Sequence, residues 1–157
     1  MTLHWNGSAL EALATGATAS LFSIVTTPNG NVTAGDVVPA TSNGALDEND
    51  GSSDWKAAAL AAPIAWRGLA ASRTDEVYVV GGSGVIARRD NVGKWAPIQQ
   101  SLIQQSFHAD WVDPDGGLWG VGGQFDLSPT TSGFLLYYGT EQISKMQNCT
   151  ASARVIR

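Results

Sequence analysis

The sequence predicts an all-β fold in which a four-stranded unit of about 40–50 residues is repeated. Three observations support this prediction: an apolar run ending in glycine returns three times, the run before it returns at the same interval, and one Asp-to-Trp spacing occurs twice. The composition agrees, since 18 of the 157 residues are glycine and 43% are hydrophobic. A globular chain with many turns has this composition.

The first two markers keep almost the same period. The glycine-terminated runs are GNVTAGD, EVYVVGG and GLWGVGG, and their final aligned glycines, Gly35, Gly81 and Gly122, are 46 and 41 residues apart. The preceding runs, LFSIVTTPNG, WRGLAASRTD and FHADWVDPDG, begin 45 and 41 residues apart. Pro presets φ, and Asn and Asp tolerate positive φ, so the ends of these runs favour tight turns.

The third marker is an acidic turn followed by tryptophan. DGSSDW and DNVGKW both place Trp five residues after Asp, and the two tryptophans, Trp55 and Trp95, are 40 residues apart. Several short strands recurring at this period are typical of β-propeller blades. We therefore expect about three and a half four-stranded antiparallel blades in one segment covering residues 1–146.

The middle copy predicts the strands most clearly. Its four short runs, rich in Val, Ile and Trp and bounded by Gly, Asp and Asn, are Ala65–Ala71, Glu76–Gly81, Val85–Arg89 and Trp95–Gln99. The same frame gives a partial blade at 1–15 and blades at about 16–60, 61–100 and 101–146, and it leaves the tail 147–157 unassigned. The last blade would then end in a strand at Glu141–Met146. An open arc exposes sheet edges, so we expect either a piece of a longer propeller or a ring completed by self-association.

Alternation along the strands predicts which side chains share a face. Each first strand starts with a large residue, and the residue two positions later is small: Ser23, Gly68 or Ala109. Small residues on that face would let neighbouring sheets approach closely. Of the six tryptophans, we expect the three within strand patterns to pack in the core and Trp5 to be exposed; the three are Trp66, Trp111 and Trp119.

The middle copy resembles the blades of bacterial extracytoplasmic β-propellers. The resemblance is carried by WRGLAASRTDEVYVVGGSGVIARRDNVGKWAPI, with parts of it matched by LHWNGSALEAL and DPDGGLWGVGG. VYVVGG followed by Trp95 is similar to a kelch repeat, and DENDG through Trp55 loosely resembles a sialidase-type Asp box. The resemblance implies a propeller fold and an extracytoplasmic location for the full-length protein, and it brings no catalytic residues with it.

His108 and Asp110 form the best candidate for chemistry, because alternation in a strand would place both on one face. A His beside an Asp is the arrangement of a general base with an orienting carboxylate. Comparison of the repeats weakens the case for a catalytic role, since the other two copies have Phe22 and Arg67 at the position of His108. We expect Arg67, His108 and Asp110 to line the axis, as structural groups or as ligand contacts.

Two long loops interrupt the repeat. They are DVVPATSNG (Asp36 to Gly44) and QFDLSPTTSG (Gln124 to Gly133), and both connect the second and third strands of their copies. Both loops would therefore emerge on one face, where binding often resides. Gln124 and Asp126 are the candidate ligand contacts in the second loop, with tolerated variation in loop length as the alternative.

Several classes of function find no support in the sequence. The net charge of −5 and the lack of a basic stripe give nucleic acid no electrostatic attraction. One cysteine and two histidines cannot form a Cys/His metal set, and the acidic run around Asp50 lacks EF-hand spacing. We expect no metal and no cofactor. The start of the chain has no signal-peptide pattern and no apolar stretch is long enough to span a membrane, so the chain as written predicts neither export nor insertion.

The sequence favours a non-catalytic propeller module that binds a protein or a carbohydrate, or serves as a scaffold. Its ligand surface would be the long-loop face, and a homo-oligomer could complete the ring. The alternative is a piece of a propeller-type hydrolase or lyase whose catalytic residues lie outside this chain.

Overall fold

The computed structural model describes residues 2–13, 18–38, 43–50, 54–60, 62–98, 103–124, 132–140 and 153–156. These residues form fourteen strands in four sheets, and the described part contains no helix except a 3₁₀ turn at Gly82–Gly84. The all-β prediction is therefore confirmed. In the same described part, no helix is long and apolar enough to cross a membrane.

The strands form an N-terminal hairpin and three four-stranded sheets. The hairpin consists of β1 (Thr2–Trp5) and β2 (Leu10–Leu13). The first sheet contains β3 (Leu21–Thr27), β4 (Gly30–Val38), β5 (Asn43–Asn49) and β6 (Lys56–Ala57). The second sheet contains β7 (Trp66–Ala71), β8 (Val77–Gly81), β9 (Ile86–Arg89) and β10 (Trp95–Pro97). The third sheet contains β11 (Phe107–Val112), β12 (Leu118–Gly123), β13 (Gly133–Tyr138) and β14 (Ala153–Ile156).

Chain order and spatial order agree in each of the three sheets, and every pair is antiparallel except the last. The four strands predicted for the middle copy are all present, within two residues at each end. The third sheet differs, because its fourth place is taken by β14, which runs parallel to β13. A parallel neighbour needs a crossover of about a dozen residues or more, and the chain between β13 and β14 is long enough. The strand expected at 141–146 lies outside the described residues.

The turn after each first strand is held by one side chain. The Oγ of Ser72 accepts hydrogen bonds from the N–H of Thr74 at 3.2 Å and of Glu76 at 3.1 Å. The Oδ1 of Asp113 accepts from Asp115 at 3.0 Å and Gly117 at 2.8 Å, which is the same arrangement one sheet later. Short polar side chains stabilise turns in this way, so the repeat extends to the chemistry of its turns.

The three sheets stack side by side, and β7 of the second sheet contacts both β3 and β11. We call the contact between the first and second sheets the first seam, and that between the second and third sheets the second seam. The core of the first seam includes Val32, Leu46, Trp66, Leu69 and Val79. The core of the second seam includes Tyr78, Val80, Phe107, Leu118 and Leu136.

Two predictions about large apolar side chains meet different outcomes. Trp5 is 58% exposed, as expected, and Trp66 is fully buried. Trp111, expected in the core, is 58% exposed, so that prediction is wrong. Trp111 pairs with Trp119 on the face of the third sheet that points away from the second sheet, where Val121 is also 45% exposed.

The first of the two long loops is shorter than predicted. β4 continues through Val38, and β5 already begins at Asn43, so most of the segment from Asp36 to Gly44 is strand. The register shift between Ala34 and Val37 places one additional residue of β4 in the ladder as an irregularity.

Candidate functional site

A β-bulge occurs at the same place in all three sheets. The register of the first strand shifts between Leu21 and Ser23, between Trp66 and Gly68, and between Phe107 and Ala109. A bulge adds one residue to one strand of the ladder and turns its side chain to a new direction, which is why bulges are common beside binding sites. The three additional residues, which we call the bulge row, are Phe22, Arg67 and His108.

Within the bulge row, Arg67 contacts Phe22. Its Cζ lies 4.5 Å from the centroid of the Phe22 ring, which is 45% exposed. A guanidinium over an aromatic face is held by the ring quadrupole. In the described part of the chain no carboxylate lies within ion-pair distance of Arg67, so its positive charge is available to a ligand at this end of the sheets.

His108 is half-buried and its Nε2 lies 3.2 Å from the carbonyl oxygen of Gly123. The bulge changes the face relation expected from alternation, because Phe107 pairs with Gly122 and Asp110 pairs with Gly120. Residues opposite Gly120 and Gly122 share one face of the sheet, so Asp110 lies on the same face as Phe107. The prediction that simple alternation pairs His108 with Asp110 is therefore wrong.

The same bulge corrects the prediction about small residues. Trp66 pairs with Gly81 and Leu69 with Val79, so the large first residue shares its face with Leu69 and not with Gly68. Gly68 instead faces the third sheet, as predicted for a position of close approach. A Cβ at Gly68 would lie 3.1 Å from the Cα of Ala109.

Asp110 lies in the second seam directly over Gly68. A Cβ placed on Gly68 would meet the Asp110 Oδ1 at 2.4 Å. Both carboxylate oxygens are buried and, among the described residues, none donates a hydrogen bond to them. Burial raises the pKa of this carboxyl from 3.8 to about 8, against a weaker effect of its own backbone N–H. Asp110 is thus held in its neutral form at pH 7 by its surroundings and not by Arg67 or His108.

The two candidate residues in the second long loop have different outcomes. Gln124 is exposed, and its backbone N–H donates to the carbonyl of Ser132 at 3.2 Å, which closes the base of the loop. Asp126 lies outside the described residues. Arg67, His108, Asp110 and the start of this loop therefore occupy one end of the sheets. Arg67 lies over Phe22, the His108 Nε2 lies near the Gly123 carbonyl, and Asp110 lies over Gly68.

A second feature, at the opposite end of the same strands, was not predicted from the sequence. A cleft of about 530 Å³ opens in the second seam between the turn at Ser72–Glu76 and the turn at Asp113–Gly117. Its walls also include Tyr78, Arg88 and Tyr138. The available signal was the Arg88-Arg89 pair, whose neighbouring side chains point to opposite faces of a strand and so into different seams.

The described side chains of the two features offer groups that can contact a ligand. No group of three or more His, Cys, Asp and Glu side chains in these ranges is arranged to hold a metal ion. The bulge row offers a cation, an imidazole and an aromatic ring, and the cleft offers an ion pair and phenol groups.

Comparison with known proteins adds no assignment. No protein-family model matches the chain, and no curated protein matches it significantly.

Proposed function

We propose that the chain is a segment of a β-propeller that acts as a non-catalytic binding module for a protein or a glycan. The observation that carries this proposal is the bulge at the same position of three stacked sheets, which projects Phe22, Arg67 and His108 at one end. A rigid stack of sheets that presents unlike side chains at equivalent positions is suited to recognition. The side-by-side packing of β3, β7 and β11 supports the propeller as the arrangement of the sheets.

The ligand of the bulge row bears a carboxylate. Arg67 provides a guanidinium that matches carboxylate geometry, and stacking on Phe22 holds it in place. An acidic protein segment and an acidic glycan both carry this group, and a β-propeller binding module could recognise either one.

Binding to arrays of acidic glycans, neutral glycans and acidic peptides tests the proposal. We expect binding to acidic probes, its loss in Arg67→Ala, and its retention in Lys94→Ala, which removes an exposed cation at the other end of the sheets. The glycan and peptide arms identify the ligand class. Absence of binding to every probe, or equal loss in both variants, would contradict the proposal.

We also propose that a second copy of the chain continues the stack. Trp111 and Val121 are 58% and 45% exposed on the outer face of the third sheet, and Ile24 is 55% exposed on the outer face of the first. Val80 is buried in the second seam at the position that Val121 occupies one sheet later. The outer face of the third sheet thus has the pattern of a face that another sheet covers, and the solution mass tests whether a second copy provides it.

A further inference from the structure

The two seams differ most at the turn end of the sheets, away from the bulge row. In the first seam this space is filled by an ionic network centred on Arg89. Its Nη1 lies 3.2 Å from Glu48 Oε1, and its Nη2 lies 3.3 Å from Asp75 Oδ1. The Nε1 of Trp95 donates to the same Glu48 oxygen at 2.9 Å. In the second seam the corresponding space is the cleft of about 530 Å³.

Cross-strand register explains why the cleft is open. Glu48 is opposite Val32 and Arg88 is opposite Tyr78, which are equivalent pairs in successive sheets. By the same register, the place of Arg89 in the second sheet is taken by Tyr138 in the third. Arg88 therefore faces a tyrosine where Glu48 faces an arginine, and among the described residues no ion pair crosses the second seam at this position.

Charges of both signs line the cleft: Arg73 and Arg88 are cationic, and Glu76, Asp113 and Asp115 are anionic. Arg88 ion-pairs with Glu76 on its own sheet, and the two side chains keep 42% and 24% of their surface exposed. This pair presents N–H donors beside carboxylate acceptors, without a surplus of charge to hold an ion. The Asp113 carboxylate is less available because it accepts hydrogen bonds from its own turn and from Trp119.

Tyrosine supplies the remaining wall. Tyr138 is half-buried on the third sheet and Tyr78 lies on the second sheet, so the two approach the cleft from opposite sides. Burial raises the pKa of Tyr78, with a further contribution from Tyr138, so its phenol stays protonated. Aromatic rings with a polar edge suit a ligand that has both C–H faces and hydroxyl groups.

We propose that this cleft binds a neutral polyhydroxylated ring, of the size of a monosaccharide or disaccharide. The volume falls in the range of small-molecule sites, about 300–1,000 Å³. Vicinal hydroxyl groups both donate and accept, which matches the Arg88–Glu76 pair better than a simple anion or cation does. This site lies at the other end of the strands from the bulge row, and it stands whether or not the bulge row binds a carboxylate.

Nuclear magnetic resonance titration of the isotope-labelled chain tests the site directly. The probes are glucose, galactose, mannose and N-acetylglucosamine with their common disaccharides, and glycerol serves as a control for unspecific polyol effects. We expect at least one sugar to shift the amide resonances of Gly117 and Tyr138 with a dissociation constant of about 1 mM or lower. If no sugar shifts these resonances, or if glycerol shifts them equally, the proposal is overturned.

Variants separate this site from the bulge row. Arg88→Met and Glu76→Gln should each weaken sugar binding by about tenfold or more, since each removes a charge-assisted hydrogen bond. Arg67→Ala should leave the affinity unchanged. Dispersed spectra and a cooperative thermal transition establish that Arg88→Met is folded. Retained affinity in a folded Arg88→Met, or its loss in Arg67→Ala, would overturn the assignment.

Discussion

The first and second seams are built from equivalent strands in equivalent register, yet an ionic network fills the first seam at the turn end and a cleft opens in the second. Arg88 and Arg89 are consecutive residues of β9, and alternation sends one side chain into each seam. Arg89 is 8% exposed and reaches carboxylates of both sheets, whereas Arg88, among the residues that the structure describes, pairs with Glu76 on its own sheet. The difference shows that equivalent positions of a repeated fold can carry an ionic network in one interface and leave a cleft in the next.

The largest expected effect comes from opening the first seam. Arg89→Met leaves Glu48 and Asp75 without their shared cation, which should lower the free energy of unfolding by about 3–5 kcal/mol. Arg88→Met is the matched control, and its loss should be below about 1 kcal/mol because that pair is partly exposed. Urea unfolding of both variants measures the difference. Equal losses would remove the distinction between the seams.

The second expected effect concerns the unpaired carboxyl of the second seam. Asp110 occupies the position in the third sheet that Leu69 occupies in the second. Asp110→Leu should therefore stabilise the fold by about 2–3 kcal/mol at pH 9. The pKa of Asp110 is raised to about 8 in the folded state from 3.8, so the folded protein binds the proton more tightly than the unfolded chain does. Stability from this group is present below pH 4 and is lost as the pH rises to 8.

The gain from Asp110→Leu should therefore be larger at pH 9 than at pH 5. Thermal unfolding of the variant and the parent protein across this range measures it. A gain that does not change with pH would mean that Asp110 is not neutral in the folded protein.

A smaller effect is expected from the close approach of the sheets at Gly68. Gly68→Ala should destabilise the fold by about 1–2 kcal/mol, because its Cβ would meet the Asp110 carboxylate at 2.4 Å and the Val80 side chain at 3.0 Å. Gly133→Ala is the control, since the nearest atom to its Cβ would be 3.6 Å away. Chemical denaturation compares the two, and an equally tolerated Gly68→Ala would show that the seam has room there.

Local chemistry made much of the fold predictable from the sequence. The turn residues Ser72 and Asp113 bond their own loops, and the four strands of the middle copy follow from short apolar runs between glycines and acidic residues. These features depend on neighbours within a few positions. The glycine-terminated strands also recur at a nearly constant interval along the chain, which is why the number of sheets could be predicted from the sequence.

The candidate site was predicted less well, because it depends on single-residue irregularities and on facing sheets. One additional residue at His108 shifts every later side chain of β11 relative to Phe107, and simple alternation cannot reveal it. β14 pairs in parallel with β13 after a long connection, and no local sequence pattern predicts that pairing. The cleft exists because Tyr138 stands where the second sheet has Arg89, so it became visible only when the seams were compared.

The central claim is that the sheets are copies of one unit that stack through equivalent faces, and that a second copy of the chain continues the stack. Light scattering on a sizing column, combined with circular dichroism of the same peak, tests it most directly. The account predicts a folded species of twice the 16.4 kDa chain mass, and a folded monomer for Trp111→Lys, which places a charge on the outer face of the third sheet. A wild-type chain that is folded and monomeric at all concentrations would contradict it.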